Sequence, residues 1–291
     1  MEIVIASGKG GVGKSTFTGS LISLLSRDFK IAAVDADAEA PNLHIIFNVD
    51  KWDTEEEFSA AKTAVIHDSC INCGLCRNVC IYEAIYEKDG KHHIKSYLCE
   101  GCAACKMVCP VDGAIEIKDT ISGWLRTATT KFGPLVSAEL DVGKPNSGKL
   151  VTEEKRIARE WKKEGKVEHI IVDAAAGIGC QVISSVSGAN MVLIVAEPTP
   201  SSVSDMKRMY DLARHFGIET KIIVNKDGMN PGFKGIEDFA RENNVEIIGR
   251  IPYDPEVPKA LSAMKPLVEF SPDSKASRAI IEIAEQIRGW L

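Results

Sequence analysis

Ile3-Val4-Ile5-Ala6 reads as a short buried strand and runs directly into Ser7-Gly8-Lys9-Gly10-Gly11-Val12-Gly13-Lys14-Ser15-Thr16, after which Phe17 to Ser26 has the spacing of an amphipathic helix. A strand, a glycine-rich loop and a helix in that order narrow the possible folds more than any other stretch. Gly8 to Ser15 fits G-x-x-x-x-G-K-[ST], the spacing of a phosphate-binding loop. Its glycines let backbone N–H groups turn inward on an anion, Lys14 reaches the outer two phosphates of a nucleotide, and the Ser15 hydroxyl holds Mg2+. Gly10, Gly11, Val12, Gly13 and Thr16 complete the expected cradle, and the helix start adds the positive end of its dipole.

The second lysine, Lys9, makes the run G-K-G-G-V-G-K-S-T. This resembles the deviant Walker A motif of the MinD, ParA and nitrogenase iron-protein class of P-loop ATPases. The resemblance implies that Lys9 crosses a two-fold interface to the partner's nucleotide. An ATP-dependent dimer is therefore expected, either of two copies or with a paralogous ATPase.

Lys30 to Val34 reads as a second strand and brings Asp35-Ala36-Asp37 to its C-terminal end, where open parallel sheets bind ligands. With Ala40-Pro41-Asn42 these residues resemble switch I of the same class, which places Asp37 on the attacking water and Asp35 on the Mg2+ side. Glu168 to Val172 is a strand ending in Asp173, a Walker B pattern with the aspartate near Mg2+. The small residues that follow resemble switch II, although Ala174 and Ala175 stand where members commonly carry proline. Cys180 is expected to be a small buried packing residue, the alternative being a cluster ligand between subunits.

Met191 to Ala196 is another strand, with a helix expected over Ser201 to Phe216. Lys221 to Val224 leads to Asn225-Lys226-Asp227-Gly228. A guanine site would carry an acid three positions after the asparagine, and Gly228 stands there, so the resemblance favours adenine with Asn225 on the base. Pro252-Tyr253-Asp254 resembles the segment that packs on adenine. The catalytic residues expected are thus Lys9, Lys14, Asp37 and Asp173.

Between these ATPase halves the composition changes. Cys70-x2-Cys73-x2-Cys76-x3-Cys80 is followed by Cys99-x2-Cys102-x2-Cys105-x3-Cys109-Pro110, each cysteine 29 positions after its counterpart. Eight of the nine cysteines fall in these two sets, a metal-binding spacing rather than a disulfide framework. The pattern resembles the bacterial two-cluster ferredoxin run, in which the fourth cysteine of each set ligates the other cluster. The resemblance implies one [4Fe-4S] cluster on Cys70, Cys73, Cys76 and Cys109 and a second on Cys99, Cys102, Cys105 and Cys80. A structural zinc site has no need of this double repeat. Ile81 replaces the usual proline after the fourth cysteine and restores a backbone N–H near a sulfur, one lever on potential. His92 and His93 read as surface strand residues. Residues 62–120 carry seven basic and eight acidic side chains, so no charged face steers a redox partner.

Asp50 to Lys62 shows no pattern, and periodicity is weak from Thr120 to Leu150. Gly143 to Lys149 contains a second G-x-x-x-x-G-K, set aside because Leu150 replaces the Mg2+ hydroxyl and no buried strand precedes it. A helix is expected from Thr152 to Gly165. Ser277 to Leu291 has helical spacing with Glu282 and Glu285 against Arg278 and Arg288, the pattern of a helix packing on the core rather than on a membrane.

The expected architecture is α/β: a doubly wound, mostly parallel P-loop NTPase sheet formed by residues 1–61 and 121–291, with a small α+β ferredoxin-like domain inserted at 62–120. No run nears the ~18 apolar residues of a membrane span, the chain opens on its first strand without a leader, and a cytoplasmic location is expected. A net charge of −6 without a basic face argues against nucleic acid. The cofactors implied are ATP or ADP, Mg2+ and two [4Fe-4S] clusters. Three functions fit these parts: nucleotide-gated electron transfer to a redox partner, maturation or delivery of a metallocofactor to an accepting protein as in Mrp-type proteins, and a positional ATPase like MinD with structural clusters.

Overall fold

The computed structural model describes residues 1–141 and 147–291. Most of the second glycine-lysine run, at residues 143–146, lies outside the described residues. The chain divides into two compact units: Met1–Glu56, Leu125–Glu139 and Ser147–Leu291 form one, and Glu57–Trp124 with Leu140–Asn146 forms the other.

In the first unit the chain runs β1 (Glu2–Ser7), α1 (Lys14–Leu25), β2 (Ile31–Ala36) and α2 (Leu43–Ile46) before leaving through β3 (Thr54–Phe58). It returns through β8 (Gly123–Thr130) and β9 (Gly133–Leu140), then continues as α5 (Ser147–Lys163), β10 (His169–Ala176), α6 (Cys180–Val186), β11 (Met191–Ala196), α7 (Pro200–His215) and β12 (Glu219–Asp227). The last elements are α8 (Gly235–Asn243), β13 (Ile247–Pro252), α9 (Glu256–Ser262), α10 (Leu267–Phe270) and α11 (Lys275–Arg288). Among the described residues the main sheet has nine strands in the order β13-β12-β11-β1-β10-β2-β9-β8-β3. β13 to β9 pair in parallel.

Strands β1, β2 and β11 are buried at every residue, as expected of parallel strands covered on both faces. From β1 the chain moves one way across the sheet toward β2, and from β11 it moves the other way toward β12. The direction of winding therefore reverses between β1 and β11, the position at which such sheets open a ligand crevice. Helix α11 starts at its Ser274 cap and buries Ala276, Ile280, Ile283 and Ile287 in the same core as Phe17 and Leu21 of α1.

Several elements differ from the sequence expectation. Patternless Asp50 to Lys62 contains β3, whose Glu55, Glu56 and Glu57 are exposed at the sheet edge. Charge on an edge strand discourages pairing with other chains, and it also removes the alternation by which a strand is read. The weakly periodic stretch after Thr120 contains β8 and β9. Helix α5 begins at Ser147, five residues before Thr152.

The second unit contains β4 (Ala61–Ile66), α3 (Leu75–Val79), β5 (Ile85–Lys88), β6 (Lys91–Ile94), α4 (Ala104–Met107) and β7 (Ile115–Thr120). β4 pairs antiparallel with β7, and β5 with β6. The sequence repeat is a structural one, since α3 and α4 each follow a left-handed residue, Gly74 at φ +77 and Ala103 at φ +65. Its buried core consists of Ala64, Cys76, Ile85, Cys105 and Ile115. His93 is exposed, but alternation along β6 turns His92 inward, where it is buried with Nδ1 unpartnered among the described residues.

Candidate functional site

The loop between β1 and α1 is shaped by what packs behind it. Gly13 holds φ +91, and the Asn225 amide occupies the space a Cβ would take there, donating at 2.6 Å to the Val12 carbonyl. No side chain fits at Gly8 either, because the Asp205 backbone of α7 lies against it. The chain then enters α1 at Lys14, with Lys14, Ser15 and Thr16 forming the first turn. A cleft of about 610 Å³ opens above, lined by the run from Lys9 to Thr16 together with Asp37, Asn225 and Pro252. Ile45, Tyr253, Val257 and Leu261 give it an apolar wall suited to a base.

Beneath the loop, Lys14 Nζ lies 2.9 Å from Asp173 Oδ1, and Thr18 Oγ1 lies 2.9 Å from the same oxygen. Asp173 stands in register with Asp35 on the next strand. Asp35 Oδ2 accepts the backbone N–H groups of Asn42 and Leu43, both at 2.7 Å, and so fixes the segment after Asp37. The remaining oxygens, Asp35 Oδ1 and Asp173 Oδ2, are buried without a hydrogen-bond partner among the described residues. Burial, and then the Asp173 carboxylate, push Asp35 up to about 7. Burial also raises Asp37, with Lys14 opposing. Two orphaned carboxylate oxygens below a phosphate loop fit a divalent cation, for which Ser15, Asp35 and Asp173 are the available ligands.

Residues that sequence reasoning missed tie the loops together. Gln181 accepts from the Ala38 N–H at 3.0 Å and donates to Glu39 at 2.7 Å, joining the segment after β2 to α6. Glu197, just past β11, accepts from Lys9 at 3.2 Å and from Lys226 at 2.9 Å. Lys226 also donates to the Gly11 carbonyl at 2.8 Å and holds φ +54, a conformation uncommon outside glycine. The only signal for Lys226 was its place beside Asn225. Cys180, expected to be buried, is exposed at the start of α6, because α6 turns that residue outward and buries Gln181 and Val182 instead.

In the second unit one small pocket seats Cys80 with Cys99, Cys102 and Cys105, walled by Ala64, Ile85, Ile94 and Ile117. The Ala64 N–H points at Cys99 Sγ at 3.3 Å, and the Asn72 N–H at Cys70 Sγ at 3.4 Å. Burial raises the Cys76 thiol against the opposing Arg77 backbone N–H, with Cys70 and Cys73 adding to the rise, and burial likewise raises Cys105 against the Lys106 backbone N–H, beside Cys99 and Cys102. Cys109 packs against the core that contains Cys76. Among the described residues no three His, Cys, Asp or Glu side chains converge to hold a single metal ion. A four-iron cube has a different requirement, since each ligand serves a separate iron and the four surround a space.

A family model of the CobQ/CobB/MinD/ParA nucleotide binding domain matches residues 3–267. An uncharacterized protein of Methanocaldococcus jannaschii is 37% identical over 100% of this chain and 98% of its own length. An uncharacterized ATP-binding protein of the same organism is 29% identical over 99% of this chain and 88% of its own. Among solved structures, the septum site-determining protein MinD complexed with Mg-ADP from Pyrococcus horikoshii has a TM-score of 0.62 at 20% identity, covering 98% of this chain and 95% of that one.

Proposed function

The chain belongs to the CobQ/CobB/MinD/ParA nucleotide-binding family, and on that premise we propose that it is an ATPase whose nucleotide-driven switch gates electron transfer through two [4Fe-4S] clusters to a partner protein. The observation that carries the redox half is the pocket that seats Cys80 beside Cys99, Cys102 and Cys105. It supports a ligand set that takes its fourth thiolate from the other half of the repeat. The core of that unit is also small for its length, and units below roughly 70–80 residues usually need a metal or covalent staple. On this reading the inserted domain is residues 62–120, with Cys70, Cys73, Cys76 and Cys109 holding the other cluster.

When bound, the clusters supply one-electron chemistry and Mg2+ offsets phosphate charge. The chain's own residues do the rest. Lys14 exchanges Asp173 for the outer phosphates, the loop N–H groups wrap them, and Asp37 orients water for attack. Ser15, Asp35 and Asp173 hold the cation, Asn225 and Pro252 border the adenine, and Lys9 serves the nucleotide of a second protomer or a paralogue.

Gating requires the nucleotide to bind one cluster state better than another. A tenfold difference in its affinity for oxidised and reduced protein corresponds to about 59 mV for one electron. Anaerobic redox titration followed by EPR is therefore expected to show Mg-ATP moving at least one cluster by tens of millivolts relative to Mg-ADP. A second reading, delivery of a metallocofactor, is favoured by the exposure of Cys73 and Cys102. Unchanged potentials with intact transfer of clusters to an apo-acceptor would establish it. Inert clusters that are not transferred would leave the positional ATPase. Among the described residues no helix is long and apolar enough to cross a membrane.

A further inference from the structure

Lys9 and Lys226 share one carboxylate. Glu197 follows β11, and its backbone N–H donates to Ser202 Oγ at 3.0 Å, which fixes the residue at the start of α7. Its two oxygens are divided, Oε1 accepting from Lys9 at 3.2 Å and Oε2 from Lys226 at 2.9 Å. Burial alone would push this carboxyl up, but the hydrogen bonds from Lys226 and Lys9 outweigh it and hold Glu197 below its ordinary range. The two lysines differ in what else they touch. Lys226 has a second anchor on the Gly11 carbonyl at 2.8 Å, whereas the Lys9 side chain is 44% exposed.

We propose that Glu197 is a latch that parks Lys9 on its own protomer, and that Lys226 is the counter-ion that makes the latch releasable. The argument concerns what is left behind. A buried carboxylate that loses its only cation is strongly destabilised, so a simple Lys9–Glu197 pair would resist opening. With Lys226 on the other oxygen, Glu197 stays paired when Lys9 departs. Lys9 then exchanges a carboxylate for another anion, and the exchange is favourable only when that anion is present. A protomer without nucleotide opposite it therefore keeps Lys9 turned inward and offers no cation across the interface. The latch rests on the reading above, in which Lys9 serves the nucleotide of a second protomer. It adds two positioning residues, Glu197 and Lys226, that act through Lys9.

The test uses the full-length protein with its clusters in place and measures the acetylation rate of the Lys9 amine by competitive labelling and mass spectrometry, without nucleotide. Glu197→Gln removes the charge-assisted partner and is expected to raise Lys9 labelling by about tenfold, with Glu197→Asp between the two. Lys226→Met leaves Lys9 as the one cation paired with the Glu197 carboxylate among the described residues and is expected to lower labelling. Opposite signs are the signature of the latch, because general loosening of the loop would raise labelling in both variants. Unchanged Lys9 labelling in Glu197→Gln, or a rise in Lys226→Met, overturns it. Dimerisation with a non-hydrolysable ATP analogue, followed by sedimentation, is expected to be tighter in Glu197→Gln and weaker in Lys226→Met than in the wild type. A wild-type protein that stays monomeric with the analogue overturns the underlying reading of Lys9, whatever the labelling shows.

Discussion

The Lys14 ammonium sits 2.9 Å from the Asp173 carboxylate, with the two side chains 7% and 0% exposed. The loop lysine is thus paired with the aspartate inside β10, three residues before that strand ends, that is expected near the cation. A phosphate must compete with that aspartate for Lys14. Asp173→Asn is therefore expected to strengthen Mg-free ATP binding about tenfold, roughly 1.4 kcal/mol, while hydrolysis falls. Calorimetric titration in the presence of chelator checks this, and weaker Mg-free binding in the variant would contradict it.

The two loop lysines should separate in their effects. Lys14→Ala removes a cation from the outer phosphates and is expected to lower nucleotide affinity by about 100-fold or more. Lys9→Ala is expected to leave monomer affinity within a few-fold and to abolish ATP-dependent dimerisation. Equal loss of binding in both variants would place Lys9 in its own protomer's site.

Glu154 of α5 is completely buried, and among the described residues neither of its oxygens has a hydrogen-bond partner of full geometry. Burial, and then Asp35, hold its carboxyl well above the ordinary value of 4.5, with only the Ala138 backbone tempering the rise. The folded state therefore keeps a proton that the unfolded chain has given up, and this contribution to stability is lost as pH rises above about 4.5. Glu154→Gln cannot ionise and should remove that loss. Its melting temperature is expected to match the wild type near pH 4.5 and to exceed it at pH 8, by about 2–4 °C for each kcal/mol recovered.

Cys80 lies in the pocket of the second cysteine set. Protein purified anaerobically is expected to hold about eight irons, two four-iron sets. Cys80→Ala should bring the count toward about four by damaging the cluster on Cys99, Cys102 and Cys105. EPR showing loss confined to the cluster on Cys70, Cys73 and Cys76 would overturn the exchanged ligand.

Gln181 bridges Ala38 and Glu39 from α6. Gln181→Ala removes both bonds and is expected to cost hydrolysis about tenfold at unchanged ADP affinity, on the scale of two lost hydrogen bonds. Stopped-flow phosphate release set against ADP titration separates these effects.

The phosphate loop was legible because its motif is local, and the cysteine repeat because its spacing is. G-x-x-x-x-G-K-S specifies a backbone path within eight residues, and Gly13 at φ +91 has the conformation that path needs. Strands β1, β2, β10 and β11 were legible because burial on both faces leaves an unbroken apolar run. Edge strand β3 was not, since its exposed glutamates answer to solvent and not to a core. The exposure of Cys180 and the burial of His92 each depend on the face an element turns inward, and neither neighbouring sequence is periodic enough to show it.

By itself, then, the sequence determined where the candidate segments lie: the nucleotide-family loop from Gly8 to Ser15, the aspartates that follow the buried strand runs, and the two cysteine repeats. Tertiary structure alone decided which of those segments meet. Lys9 finds Glu197 188 positions away, and Gln181 reaches back 143 positions to Ala38. Both contacts join segments that follow parallel strands, a loop to a loop for Lys9 and helix α6 to a loop for Gln181, and the neighbours of those strands are set by the crossovers between them. Hydrophobic periodicity records that a strand exists and which faces it buries, but strand order is a property of the whole sheet. It follows from the packing of all the crossovers together, and no window of the chain contains it.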